Sequence, residues 1–291
     1  IRGTTSATEL AAGWNYFKQV NKYKADIFFD TTADTTIPAL FQTLRTSYQK
    51  RAYYICIMAN TDYASAITAS TSIMTDNKGI AFYWGWGKVT GELNASSLQG
   101  RRALRLADMK DVFNGLAPAW YNENGTHGGQ LGSGIVEMFY DADDDAQKLL
   151  EAARINPTIF HPTFGVVLTR ERTSQSMMSD YASISHTRLG DYLINNIVTN
   201  ALPYQSYKLN DYSHRTKVKA QIESIISPTA AEPYNLLRDY IVKVDDENNN
   251  DEVLAREEFV VGVAVKYTPM SKFIKLFFTN SAQGTDVQED V

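Results

Sequence analysis

The hydrophobic pattern changes once along this chain, near residue 170, and that change limits the folds available to it. Before residue 170, apolar runs alternate with segments of helical periodicity. The helical segments cover 37–48, with Pro38 in the first turn, and 63–74. Strands are predicted before, between and after them, over 25–29, 53–59, 79–86 and 135–140. This alternation predicts an α/β sheet covered on both faces.

After residue 170, two long helices come in succession. One has an apolar stripe from Leu189 to Ile197, and the other has a stripe from Val218 to Ile226 and is expected to stop before Pro228. Three strands are then predicted, over 240–244, 259–267 and 273–279. The last two are separated by a short turn, so we expect them to form an antiparallel hairpin.

The predicted fold class is therefore an α/β layered domain followed by an α+β C-terminal domain with an antiparallel hairpin and an extended terminal arm. We place these units at residues 1–170, 171–280 and 281–291. A chain of 291 residues is long enough for two domains. Because it begins at Ile1 and not at methionine, we expect an upstream portion to be missing.

Charge and composition narrow the possible partners. The net charge is −5; residues 1–170 balance 16 acidic against 16 basic groups, whereas residues 171–291 carry 17 against 12. An acidic chain without a basic stripe argues against nucleic-acid binding. No apolar run reaches the ~18 residues of a membrane span. The single cysteine, Cys56, lies in an apolar run and is expected to be buried, in a protein that folds in a reducing cytoplasm.

One glycine-rich segment invites comparison with phosphate-binding loops. Such loops place their glycines after a strand and at the start of a helix. Here the glycines precede a predicted strand, which favours a surface loop: Gly128, Gly129, Gly132 and Gly134.

Two acidic segments could bind a cation through oxygen ligands. In the first, Asp141 and Asp143–Asp145 precede a predicted helix, where capping is the simpler role. In the second, four residues match positions 1, 3, 5 and 12 of a calcium loop, but Asp251 replaces the required glycine and strands flank the segment. We interpret it as a solvated loop: Asp246, Asn248, Asn250 and Glu257.

No other pattern points to catalysis. The histidines lie at no metal-ligand spacing, and no nucleophile–base pairing is visible in the sequence. They are His127, His161, His186 and His214. The aromatic run 82–86 could stack a sugar or a base, but buried strand packing is favoured. We predict no catalytic residues, no metal site and no cofactor; an α/β enzyme or nucleotide-binding domain remains the alternative, since triads assemble from distant residues.

From Arg154 onward the chain resembles the contractile tail sheath proteins of long-tailed phages and related injection machines. The order and spacing of several segments carry the resemblance: Ile155-Asn156-Pro157 as a turn, the strand Gly165–Leu168, Arg172-Thr173, Arg188-Leu189, Ile241–Val244, Asn248–Asn250, Glu258–Tyr267 and Phe273–Asn280. Two departures, Thr169-Arg170-Glu171 for the usual Trp-Gly and Ser271-Lys272 for Pro-Ala-Glu, suggest a divergent branch such as a giant-phage sheath.

The resemblance implies a structural subunit of a virion that assembles in the host cytoplasm. In this family hexameric rings stack around a tail tube above a baseplate, each subunit lends terminal arms to a neighbour's sheet, and contraction drives the tube through the host envelope. The arm here would include Phe278, Thr279, Asp286 and Val287. Without an N-terminal arm, this chain alone is expected to be a monomer.

A cluster of cations is the candidate contact with the tail tube. Lys208, Arg215, Lys217 and Lys219 gather just before and within the second long helix, with only Asp211 opposing them. The alternative is an ordinary solvated helix face. Because exposed ion pairs are individually weak, such a contact would be able to slide during contraction.

Overall fold

A computed structural model describes residues 7–269, except for 20–21, 24, 31–33, 90–100, 104–134, 204, 206–207 and 233. The helices are α1 (Ala7–Asn15), α2 (Ile37–Thr46), α3 (Tyr63–Ile73), α4 (Asp144–Ala152), α5 (Ile184–Asn196), α6 (Tyr212–Ala230) and α7 (Asp251–Ala255). The strands are β1 (Ile27–Phe29), β2 (Tyr53–Ile57), β3 (Ile80–Trp84), β4 (Trp86–Val89), β5 (Arg101–Ala103), β6 (Ile135–Met138), β7 (Ile155–His161), β8 (Gly165–Leu168), β9 (Leu237–Lys243) and β10 (Gly262–Tyr267).

The first part of the chain forms a five-stranded sheet in the order β1-β2-β3-β7-β8. The first four strands are parallel, and β8 is antiparallel to β7. Every residue of β2 and β3 is buried, as expected for strands covered on both faces. Phe41 and Leu150 pack against one face, and Ile184 packs against the other. The predicted α/β class is confirmed.

Two of the predicted strands differ from those in the structure. The run 79–86 is divided at Gly85, which has φ +134°, and β4 continues into a separate antiparallel sheet of order β5-β4-β6. A Cβ at Gly85 would lie 2.8 Å from that of Thr158, so this break requires glycine. The strand expected at 135–140 is β6, which pairs with β4. The next place in the main sheet is taken by β7.

The Asn156-Pro157 pair lies inside β7 and not in a turn, contrary to our prediction. Proline is tolerated there because it sits opposite Trp84, where the pairing with β3 ends. Its carbonyl oxygen still accepts a hydrogen bond from the Thr169 amide at 3.3 Å. A strand therefore runs through the pair without losing a needed donor.

The Asn156 side chain is fully buried and joins three backbone segments. Its Nδ2 donates to the carbonyl oxygens of Phe82 (3.0 Å) and Arg172 (2.7 Å), while its Oδ1 accepts from the Arg172 amide at 2.6 Å. The Arg172 guanidinium in turn donates to the carbonyl of Glu151, the last-turn residue of α4, at 2.8 Å. The segment leading into the second part of the chain is thereby fixed to the sheet.

The second part has its own hydrophobic cluster, in which α5 and α6 pack against β9 and β10. Leu189, Leu193, Val218 and Ile222 are buried in it. The prediction that α6 stops before Pro228 was wrong. The helix continues to Ala230 because the proline lies near its end, where the missing N–H removes a single bond. Separate clusters agree with a division near residue 170, which we keep as a proposal.

A buried ion pair connects the two parts. Arg45 of α2 donates from Nη2 to Asp191 Oδ1 of α5 at 3.0 Å, and its Nη1 lies 2.8 Å from Oδ2. The same Nη1 donates to the carbonyl of Ala52 at 2.7 Å. A Cβ at Gly79 would lie 2.0 Å from the Arg45 Cζ, so the guanidinium occupies the space that glycine leaves open.

We expect Asn156→Ala to lower the free energy of unfolding by about 3 kcal/mol, because it leaves buried backbone groups of Phe82 and Arg172 without partners. Urea denaturation at pH 7 measures the change. The matched control is Asn200→Ala, at an exposed position in the helical turn after α5. A loss for Asn156→Ala no larger than that of the control would contradict the role assigned to this side chain.

Candidate assembly interface

In the described chain, β9 and β10 form a separate two-stranded sheet. The strands are antiparallel, with Val263 opposite Val242 and Ala264 opposite Ile241. Within the described ranges no third strand pairs with either of them. A two-stranded ribbon is marginal alone and is stabilised here by packing on helices. Among the described residues, each strand therefore has one unpaired edge, and the backbone groups of such an edge can accept another strand.

The helices cover this sheet unevenly. Directly opposed residues lie on the same face, so Val242 and Val263 both point toward the helices. Val242 is 3% exposed, whereas Val263 is 40% exposed. The cause is that α6 packs mainly against β9. Val263 on β10 is left partly uncovered, beside an edge that no other described strand pairs with, while Ile241 is exposed on the opposite face.

The asparagine-rich loop fixes the start of β10. Asn249, only 1% exposed, accepts from the Val260 amide and donates to the Val260 carbonyl, both at 2.9 Å. Asn248 donates to the carbonyls of Lys243 (2.7 Å) and Val260 (3.1 Å). These side-chain hydrogen bonds replace the backbone hydrogen bonds that the two strands cannot form where the loop separates them. The loop also contains α7, capped by Asn250, which the sequence did not predict.

The predicted cation cluster on α6 divides into surface and interior groups. Lys208, Lys217 and Lys219 are exposed. Arg215 instead points inward: it is 9% exposed, and its guanidinium pairs with Asp246 at 2.8 Å. The structure thus places three of the four cations on the surface.

The overall fold of the chain is similar to that of solved contractile machines. A chain of the anti-feeding prophage baseplate matches with a TM-score of 0.71 and 16% identity, covering 97% of this chain and 75% of that one. A chain of the sheath complex of an extracellular contractile injection system, PVC, in the contracted state matches with a TM-score of 0.72 and 14% identity, covering 95% and 81%. The chain has a contractile-sheath fold.

Sequence similarity points in the same direction. The sheath-fold chain is 27% identical over 170 residues to the tail sheath protein of Vibrio phage KVP40, and 24% identical over 174 residues to that of Enterobacteria phage T4. These matches cover 58% and 60% of this chain, but only 25% and 26% of the relatives. The matched region is thus about a quarter of their length. No family profile matches. The predicted resemblance to tail sheath proteins is confirmed.

Several predicted site residues of the sheath-fold chain lie outside the described residues. They are the proposed arm residues Phe278, Thr279, Asp286 and Val287, the strand 273–279, His127 and the four glycines of the Gly-rich loop. The predicted hairpin between 259–267 and 273–279 is therefore described only through β10. The arm remains a prediction.

The acidic candidates have structural roles in the described chain. Asp143 caps α4 by accepting from the Ala146 amide at 2.8 Å, as predicted. Asp141 accepts from the Phe160 amide at 3.2 Å. No group of three or more His, Cys, Asp or Glu residues suited to a metal is found over the described ranges. No helix there is long and apolar enough to cross a membrane. Cys56 is buried, which raises the pKa of its thiol.

The uneven cover of β9 and β10 can be tested with one substitution on each strand. We expect Val242→Ala to cost about 2 kcal/mol of unfolding free energy, because it removes buried methyl groups. Val263→Ala should cost less than about 0.5 kcal/mol, as for an exposed position. Both are Val→Ala in a strand, so urea denaturation compares burial alone. Equal losses would show that β10 is covered as fully as β9.

Proposed function

We propose that this chain is the C-terminal portion of a structural subunit of a contractile phage tail sheath. Full-length subunits would stack as hexameric rings around a tail tube and above a baseplate, and contraction would drive the tube through the host envelope. The observation that carries the proposal is the fold match over 95–97% of the chain. The sequence matches to two phage tail sheath proteins support the same conclusion.

The subunit would act by assembly and not by catalysis, without a cofactor. It would be made and assembled in the host cytoplasm and would end in the virion tail. The KVP40 and T4 relatives are phage tail proteins, in agreement with that location.

Joining between subunits would use strand addition at the β9–β10 sheet. The edges of this sheet are unpaired in the described chain, and backbone hydrogen bonds supply affinity to any strand that docks there. The partly uncovered Val263 gives an added strand apolar surface to bury. The occupant we propose is an arm of a neighbouring subunit, made of the predicted arm 281–291 together with Phe278 and Thr279.

We expect full-length protein that ends at Asn280 to fail to form sheath tubes, because it lacks the residues that would reach a neighbour's sheet. Negative-stain microscopy of the truncated and intact proteins gives the comparison. Tubes of normal length from the truncation would show that residues 281–291 are dispensable.

A second measurement tests whether polymerisation of the subunits needs both an N-terminal and a C-terminal arm. We expect light scattering of the 291-residue chain to give a mass near its monomer value of 32.6 kDa, because polymerisation would require an upstream arm in addition to the C-terminal arm. Higher oligomers in dilute solution would contradict the idea that polymerisation requires that arm.

The contact with the tail tube would use the exposed cations of α6. Lys217 and Lys219 are both exposed and lie on either side of the buried Val218, so both ammonium groups can reach solvent. Lys219 lies 3.9 Å from Glu223 and Lys217 has no carboxylate within 4.0 Å in the described chain, so at least one cation is available. Arg215 is occupied by Asp246 and would support the fold instead.

We expect the double variant Lys217→Glu and Lys219→Glu to weaken sheath–tube co-assembly about tenfold at low salt, since it replaces weak attractions by repulsions. Co-sedimentation of sheath with tube measures the loss, which should shrink in high salt as screening increases. Lys148→Glu, at an exposed position on α4, is the control. Unchanged co-assembly of the double variant at low salt would remove α6 from the tube contact.

A further inference from the structure

A cleft of about 400 Å³ opens where the two parts of the chain meet. It lies between the end of α2, the start of β2, the loop before β3 and the segment that precedes α5. Three cations line it, Arg45, Arg51 and Lys78, against one carboxylate, Asp76. None of the roles assigned above uses this cleft.

The carboxylates near the cleft already have partners. Asp191 forms the buried ion pair with Arg45. Asp76 accepts hydrogen bonds from the amide and the hydroxyl of Ser176. In the described chain, Arg51 and Lys78 have no carboxylate within 4.0 Å. Two cations therefore face the cleft without a matching anion.

Lys78 is held in place in this setting. Its ammonium lies 3.9 Å from the centre of the Tyr181 ring, which fixes it by a cation–π contact. Burial lowers the pKa of Lys78, and the charges of Arg45 and Arg51 lower it further against the opposing effect of Asp191. An anion between these cations would relieve their repulsion and stabilise the charged ammonium.

The remaining lining supplies suitable donors. Asn77 and Gln175 also line the cleft, and side-chain amides of this kind can donate to an oxyanion. A guanidinium beside an ammonium matches the charge and geometry of phosphate or carboxylate oxygens. We propose that this cleft is an oxyanion-binding site, in which Arg51 and Lys78 together receive a phosphate group or a carboxylate.

The site lies where the two parts of the chain meet, so a bound anion would contact both of them. Arg51 and Lys78 belong to the sheet part of the chain, while Gln175 and Tyr181 belong to the part that leads into α5. An anion bound among them would link the two parts and stabilise the folded state by mass action. This inference stands on the cleft alone and does not depend on the proposed sheath function.

The direct test titrates inorganic phosphate with the 291-residue chain at constant ionic strength and measures binding by the broadening of the ³¹P NMR line. We expect saturable broadening for the wild-type chain. Arg51→Met combined with Lys78→Met should weaken it at least tenfold, and Lys148→Met, an exposed lysine on α4, should leave it unchanged. Circular dichroism checks folding, and Arg51→Met alone replaces the double variant if that variant is unfolded.

Citrate competition distinguishes the two forms in which an oxyanion could reach the cleft. Displacement of phosphate by equal or lower concentrations of citrate would indicate a carboxylate site, suited to acidic side chains of another subunit. Retention of phosphate would indicate a site for a free phosphate group. Absence of saturable binding of both ions to the wild-type chain, or equal affinity in wild type and variants, would overturn the proposal.

Discussion

The buried side chain of Asn156 is the interaction on which the arrangement of the two parts depends. It satisfies backbone groups of β3 and of the segment around Arg172, where no continuous strand pairing is available. Ser174 then continues the connection by donating its amide to the carbonyl of Ile80 at 2.7 Å. Because unpaired polar groups in a dry interior are costly, loss of the Asn156 side chain would leave its backbone partners unsatisfied and weaken this connection.

The ion pair of Arg45 and Asp191 is a second connection between the two parts of the chain, and it joins two charged side chains. Burying two charges costs desolvation energy that their attraction only partly returns, so the pair is weak evidence for stability. Its geometry is demanding, however, because the guanidinium must reach both the Asp191 carboxylate and the Ala52 carbonyl and needs the open space at Gly79. The pair therefore specifies how the two parts meet, beside the cationic cleft at the same junction.

The well-tied junction contrasts with the β9–β10 sheet, where the described chain leaves edges unpaired and Val263 partly exposed. Such edges are a liability in a protein that acts alone and an advantage in one that polymerises. Under the proposed function, neighbouring subunits would join at this sheet, and the junction would hold the two parts of each subunit in a fixed relative position.

Local patterns by themselves determined the helices α2, α3 and α4, the Asp143 cap of α4, the buried strands β2 and β3, and the two long helices, because periodicity and capping act over a few residues. The order of similar segments also indicated the sheath resemblance. Only the tertiary structure decided that Gly85 divides a strand, that Pro157 lies within β7, that Arg215 turns inward and that Arg51 and Lys78 share a cleft. Each of these depends on contacts between residues far apart in the chain, such as Gly85 with Thr158 and Arg215 with Asp246, and no local spacing encodes them.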